Sequence, residues 1–437
     1  MRDSVAAVTI VEPASCVRGI LSVPGDKSIS HRYAILAALA DGCSLVDGYA
    51  PGSDCATTLA CLRGLGVEVV AQRSHATVAG LKVTIRGRGL GGLRQASKPL
   101  DAGNSGTTLR LLAGVLAACP FDTTITGDAS LRRRPMQRII EPLELMGARL
   151  ETRTGSPPLI IRGNTLHGID YAPTVASAQV KSAILLAGLH AHGPTHVRER
   201  TQTRDHIERA LPLFGIAISQ VGHKVSVIGH QPLHAVSVRV PGDFSSAAFF
   251  AAAAAALPGS NIEIQGVGLN PTRATFLDVL RRAGAHVTTE VTDSVGGEPF
   301  GTLRVQHGHR ASVSVGPDEV PALIDELPVL AALGAHGGGL KVTGAAELRA
   351  KESDRITVLT AGLRRLGATV DERPDGFIIH AKRPLTGGTV DAGGDHRMAM
   401  ALAIAALGAT SQSVITGANV VDVSYPGFFA VLESIYG

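Results

Sequence analysis

The residues able to do chemistry gather in a few short segments, most of them where a strand pattern gives way to a helical one. Gly25-Asp26-Lys27-Ser28-Ile29-Ser30-His31-Arg32 ends a strand and opens a helix near Ser28. A helix N-terminus offers free N–H groups and the positive end of a dipole, which suits phosphate. Lys27 adds a point charge there, and Arg32, a turn further on, adds a planar fork. The same residues would also serve as a capping turn with solvated charges. Gly103-Asn104-Ser105-Gly106-Thr107-Thr108, followed by Arg110, either lets a ligand approach bare backbone or only caps a helix. It is not a Walker A loop, since GxxxxGK[ST] is missing. Arg132, Arg133 and Arg134 precede Pro135, which is expected at the first helical position. Arginines at a helix N-terminus oppose the dipole unless an anion sits between them; a solvated charge run is the plain alternative. Ser177-Ala178-Gln179, then Lys181, can bond hydroxyls or phosphate, or supply an N-cap at Ser177.

Later segments add carboxylates. Asp325-Glu326 lies inside PALIDELPVLAAL, where burying a carboxylate without a purpose is costly. Burial there would raise a pKa toward general-base use; the alternative is that one faces solvent. In Arg349-Ala350-Lys351-Glu352-Ser353-Asp354-Arg355, Lys351 and Arg355 are i,i+4 and are expected to point the same way on a helix. Asp395-His396-Arg397 heads an apolar helix; His396 reads equally as a core histidine, whereas Arg397 calls for an anion.

The elements that hold these residues repeat at intervals of roughly 65–80 residues. Copies begin at Leu21, Leu100, Ala172, Val238, Val315 and Val390. Each runs strand, polar turn, alanine-rich helix, strand, then a second helix and further strands; the last copy stops early. The segment VTIVEPASCVRG looks like its missing strand. Residues 1–21 are therefore expected with 240–437, and 22–239 as an inserted domain, three copies in each. The alanine-rich helices are apolar nearly all round, so they are expected inside, with the sheets outside: an inside-out α/β barrel in two domains. If the halves face each other, Lys27, Arg32, Arg134, Lys351, Arg355 and Arg397 converge on a cleft suited to two phosphates and a carboxylate.

Composition narrows the classes. A chain of 437 residues with 45% apolar content holds two or three domains. Aromatics at 3%, without Trp, count against base-stacking platforms, and a net charge of +4 without a dense basic stripe counts against a nucleic-acid partner. The five cysteines (Cys16, Cys43, Cys55, Cys61, Cys119) are odd in number and form no CxxC, so neither a zinc site nor a disulfide framework is expected, and a reducing, cytoplasmic compartment fits. MRDSVAAVTIVEPAS shows no secretory pattern, and the apolar run Ala247 to Leu257 is too short for a bilayer.

VPGDKSISHR, GNSGTTLR, GDASLRRRPM, LRAKESDRI and DHRMAM, in that order, resemble the motifs of the 5-enolpyruvylshikimate-3-phosphate synthase family over nearly the whole chain. The resemblance implies two domains of three repeats, transfer of enolpyruvyl from phosphoenolpyruvate to the 5-hydroxyl of shikimate 3-phosphate on the way to chorismate and aromatic amino acids, and no metal or organic cofactor. A monomer is expected. By motif, it implies that Lys27, Ser28 and Arg32 hold shikimate 3-phosphate, with Lys27 also reaching phosphoenolpyruvate. Ser177, Ala178 (through backbone) and Gln179 add contacts on the acceptor side, and Lys351 binds its ring. Gly106, Arg134, Arg355 and Arg397 hold phosphoenolpyruvate, and Asn104 and His396 count among the substrate-binding residues. Asp325 accepts the hydroxyl proton and Glu352 protonates the methylene carbon.

Two departures stand out. Asp422-Val423-Ser424-Tyr425-Pro426 lacks a lysine that some members carry, and Ala178 replaces a common serine. The sister transferase acting on UDP-N-acetylglucosamine typically has a Cys in the loop that here reads Gly127-Asp128-Ala129-Ser130-Leu131. A non-catalytic repeat protein binding nucleic-acid phosphates is the rival from another class.

Overall fold

The structure is a computed structural model that describes residues 7–74, 80–381 and 384–436. Residues 1–6, on which the secretory-signal reading partly rests, lie outside the described residues. Two compact units result: Met1–Val23 with Gly242–Asp293 and Pro299–Gly437, and Pro24–Pro241 with Ser294–Glu298. The expected limits differ from these by two residues at each join and by the hairpin tip Ser294–Glu298. The joins fall where Pro24 and Pro241 interrupt the chain just after a strand. The tip is tied by Arg209, which donates to the Gly297 carbonyl, and by His206 Nδ1, 2.7 Å from Glu298 Oε1.

Six alanine-rich inner helices open the repeats: Lys27–Leu39, Gly106–Leu116, Ala178–Gly188, Phe244–Ala256, Leu327–Leu333 and His396–Leu407. Nearly all their residues are buried; in Phe244–Ala256 every one is. Three pack together in each unit. Among the described residues the strands form six sheets, three per unit, five of four strands and one of three. These sheets alternate inward and outward residues: in Leu159–Arg162, Leu159 and Ile161 are buried while Arg162 is exposed. Each unit is thus an inside-out α/β barrel.

Two leading strands change places. Arg18–Ser22, ahead of the first repeat, pairs in parallel with Asn261–Gly268 of the fourth. Ser237–Arg239, ahead of the fourth, pairs in parallel with Cys43–Tyr49 of the first. The strand Val8–Val11 pairs antiparallel with Ser413–Thr416 in the three-stranded sheet of the last repeat. The terminal strand therefore completes the repeat that stops early.

Caps and close packing position the helix ends. Asp26, Ser105, Ser177, Asp243 and Asp395 each accept a backbone N–H at the head of an inner helix. Gly114 lets the second and third inner helices of its unit touch, since a Cβ there would lie 2.2 Å from the Ala183 carbonyl oxygen. That contact fixes the N-termini of these two helices relative to one another.

Candidate active site

The inserted unit gathers Lys27, Arg32, Arg134 and Gln179 around three helix N-termini. Lys27 is held 3.0 Å from Asp54 Oδ2, in the first turn of the helix Ser53–Gly64. The helix starts one residue before the expected Ser28, because Asp26 supplies the cap. Arg32 is almost wholly buried. It donates to the Ser28 carbonyl at 2.8 Å and to Ser182 Oγ at 2.7 Å. No carboxylate lies within ion-pair distance of it among the described residues. Burial lowers its pKa to about 10, partly offset by the field of Glu208. Arg134 donates to Asn104 Oδ1 at 2.6 Å and to Ser130 Oγ at 3.1 Å. Gly106 leaves room for two guanidinium groups: a Cβ there would lie 2.6 Å from Arg110 Nη1 and 3.3 Å from Arg134 Nη1 and would push them aside. Gln179 bridges Arg110 (2.7 Å) and Thr107 (2.9 Å), tying two helix heads together. A cavity of about 150 Å³ opens beside Ser177, lined by Pro173 to Ser177 and Glu199 to Thr201.

In the other unit Asp325, Glu352, Arg355, Asp395 and Arg397 form one network. Arg355 is 1% exposed and meets three carboxylates: Asp395 at 2.8 Å, Glu352 at 2.6 Å and Asp325 at 3.3 Å. Burial alone would lower its pKa, but these carboxylates outweigh burial and hold it above its ordinary value. Arg397 donates to the Asp325 carbonyl at 2.9 Å, with its Nε 3.7 Å from Asp325 Oδ1. Lys351 has its pKa lowered, chiefly by desolvation, against the opposing pull of Asp325 and Glu347. His396 is buried at the head of its helix, with Nδ1 4.0 Å from Asp395 Oδ1, beyond hydrogen-bonding range.

Three local expectations are corrected. Pro135 is not the first residue of a helix: Leu131–Arg133 is a 3₁₀ turn and the helix is Gln137–Leu145. The turn is closed by Asp128, which accepts from the Leu131 N–H at 2.7 Å. Asp325 does not sit in a continuous helix. It lies in a break between Val320–Leu323 and Leu327–Leu333, so its backbone carbonyl is open to Arg397. Lys351 and Arg355 do not share a helical face, because Asp354 caps the helix that begins at Arg355 and leaves Lys351 in the preceding bend.

The sequence reading missed Asp54, Ser182 and Asp395 as partners of the candidate cations. Asp395 was readable as an N-cap ahead of an apolar helix, but its pairing with Arg355 spans 40 residues. Glu326 serves the fold instead: it is buried 2.9 Å from Arg273. Among the described residues, metal-type ligand atoms converge at Asp205, His206 and Glu298. There His206 bonds Glu298, and Arg209 pairs with Asp205 at 2.8 Å, so a guanidinium stands where a cation would be drawn.

An inside-out α/β protein of six repeats, with buried guanidinium groups and carboxylates at the heads of its inner helices, has the makings of a group transferase for anionic substrates. A family model described as EPSP synthase (3-phosphoshikimate 1-carboxyvinyltransferase) matches residues 11–432. A 3-phosphoshikimate 1-carboxyvinyltransferase of Shouchella clausii is 46% identical, covering 96% of this chain and 97% of that one. One from Acidithiobacillus ferrooxidans is 49% identical, covering 97% and 96%. The solved EPSP synthase of Acinetobacter baumannii superposes with a TM-score of 0.85 at 40% identity, covering 98% of both chains. The enolpyruvyl transferase NikO of Streptomyces tendae shares the fold at a TM-score of 0.79 and 16% identity. The chain belongs to the EPSP synthase family. It is a transferase that moves an enolpyruvyl (carboxyvinyl) group in the shikimate route to aromatic amino acids. Among the described residues no helix is long and apolar enough to cross a membrane.

Proposed function

We propose that the protein transfers the enolpyruvyl group of phosphoenolpyruvate to the 5-hydroxyl of shikimate 3-phosphate and releases phosphate. The observation that carries this is the arrangement around Arg355, where Asp325 and Glu352, the two carboxylates the chemistry needs, share one buried guanidinium. An anionic donor that engages Arg355 and Arg397 competes with those carboxylates. Each carboxylate that loses its guanidinium gains proton affinity. Donor binding thereby prepares both the acid and the base.

In the proposed steps Glu352, as the acid, gives a proton to the methylene carbon of phosphoenolpyruvate. The neighbouring carbon becomes cationic and the acceptor's 5-oxygen bonds to it, while Asp325 takes the hydroxyl proton. The tetrahedral adduct then loses phosphate, which leaves with the proton that Asp325 had taken, and the new methyl returns a proton to the Glu352 carboxylate, restoring the vinyl group. Arg134, Arg355 and Arg397, with the bare backbone at Gly106 and the amide of Asn104, hold the donor's phosphate and carboxylate and favour the charge that develops. His396 adds a further substrate contact. Lys27, Ser28, Arg32, Ser177, the Ala178 backbone and Gln179 hold the acceptor, Lys27 also reaches the donor, and Lys351 binds the acceptor ring. No cofactor enters these steps. A monomer is proposed, and the cysteine pattern fits a cytoplasmic setting.

The test is phosphate release from phosphoenolpyruvate with shikimate 3-phosphate, then with UDP-N-acetylglucosamine. Release only with the first is expected. Release only with the second moves the assignment to the sister transferase, and release with neither ends the proposal.

A further inference from the structure

Lys181 has no solvent exposure at all (0%), yet it is charged at both ends of its contacts: Nζ lies 2.7 Å from Glu199 Oε2 and 2.6 Å from Glu208 Oε1. Both carboxylates are buried, and Thr203 donates its hydroxyl to Glu199. Two anions and one cation leave the triad with a single negative charge. A buried ion triad is a weak source of stability, because apolar residues of the same volume would pack as well. What it supplies is a fixed charge and a fixed register.

Both bear on Arg32. Lys181 sits one turn beyond the cap Ser177 on the third inner helix. Its neighbour Ser182 accepts from Arg32 at 2.7 Å and donates to the Ala178 carbonyl at 2.6 Å. Glu208 lies on the helix His206–Leu213, which packs against the first inner helix, the one that carries Arg32. Burial raises the pKa of Glu208 against the opposing pull of Lys181.

We infer that Lys181 is a positioning residue for the acceptor: through Glu199 and Glu208 it fixes the first turn of the third inner helix and sets the negative charge that Arg32 faces. It touches no substrate. The inference rests on the reading that Arg32 and residues 177–179 hold shikimate 3-phosphate.

The test is steady-state kinetics and direct acceptor binding on three variants of the whole chain. In Lys181→Met two carboxylates remain uncompensated, so KM for shikimate 3-phosphate should rise about tenfold while kcat stays within about threefold. Lys181→Met with Glu208→Gln returns the buried charge to its original value and should recover most of that loss. Glu208→Gln alone removes the excess charge and keeps the Lys181–Glu199 pair; its acceptor Kd should fall about threefold. If Lys181→Met shows no cooperative thermal transition, Glu208→Gln decides the matter. An unaltered acceptor KM in folded Lys181→Met, a double variant no better than the single, or a Glu208→Gln Kd that is unchanged or higher overturns the inference. Wild-type protein that fails to turn over this substrate pair overturns the functional reading and this inference with it.

Discussion

Arg32 in the inserted unit and Arg355 in the other sit in different electrical surroundings. In the inserted unit, Arg32 is met by a carbonyl and a hydroxyl. In the other unit, Arg355 is enclosed by Asp395, Glu352 and Asp325. Neutral partners leave a guanidinium's charge available to an incoming anion. Carboxylate partners cancel it until an anion displaces one of them. The first arrangement is ready to hold a phosphate; the second couples anion binding to the release of groups that accept and donate protons. Even equivalent repeats differ this way: Asp26 and Asp243 both cap an inner helix after Pro-Gly, but Lys27 and Arg32 follow the first while Phe244 and Phe249 stand in their places after the second.

The sharpest break of this contrast is Asp325→Asn. Removing a general base should lower kcat about 10³-fold, with the calorimetric Kd for shikimate 3-phosphate nearly unchanged. An undiminished rate would show that the caged side is not where protons move. Asp395→Asn comes next. It strips a buried guanidinium of its fully buried carboxylate partner and should cost about 3–5 kcal/mol in urea unfolding. The matched change in the other unit, Ser182→Ala, removes a neutral partner of Arg32 and should cost only about 1 kcal/mol. Equal losses would erase the distinction between the two sites.

Lys27→Ala should leave the chain folded and raise KM for both substrates, by about 10–100-fold, the worth of a charge-assisted hydrogen bond. A normal KM for either one removes Lys27 from that substrate. The smallest effect is on pH. His31 in one unit and His336 in the other are buried neutral, and burial is the main cause in each. His336 is pushed down to about 4. A depressed histidine pKa means that the unfolded chain binds the proton first. Stability should therefore be full above pH 6.5 and fall as pH drops from there toward 4, by on the order of 1 kcal/mol or more per histidine. Thermal unfolding against pH measures this, and His336→Gln should make the acid limb shallower.

Much of the architecture was legible in the sequence. The recurring strand–turn–helix pattern gives six units, and helices with no polar face, such as Phe244–Ala256, have nowhere to go but inside. The polar turns ahead of them could be read as helix caps, and the tying of the terminal strand to the last repeat follows from that repeat's missing strand. Where local rules alone were used, boundaries slipped: Pro135 and Lys351 looked helical by spacing, yet the Asp128 turn and the Asp354 cap moved both helix starts.

Sequence by itself determined the repeat count, the inside-out layering and the residue types at each helix head, because these depend on periodicities and caps that act within a few residues. Only the tertiary structure decided which groups meet. The exchange of Arg18–Ser22 and Ser237–Arg239 between sheets, the three carboxylates around Arg355 and the buried triad at Lys181 join residues that lie far apart along the chain. No local pattern specifies such pairs. They arise because buried charges and strand edges must find partners wherever the packed chain brings them.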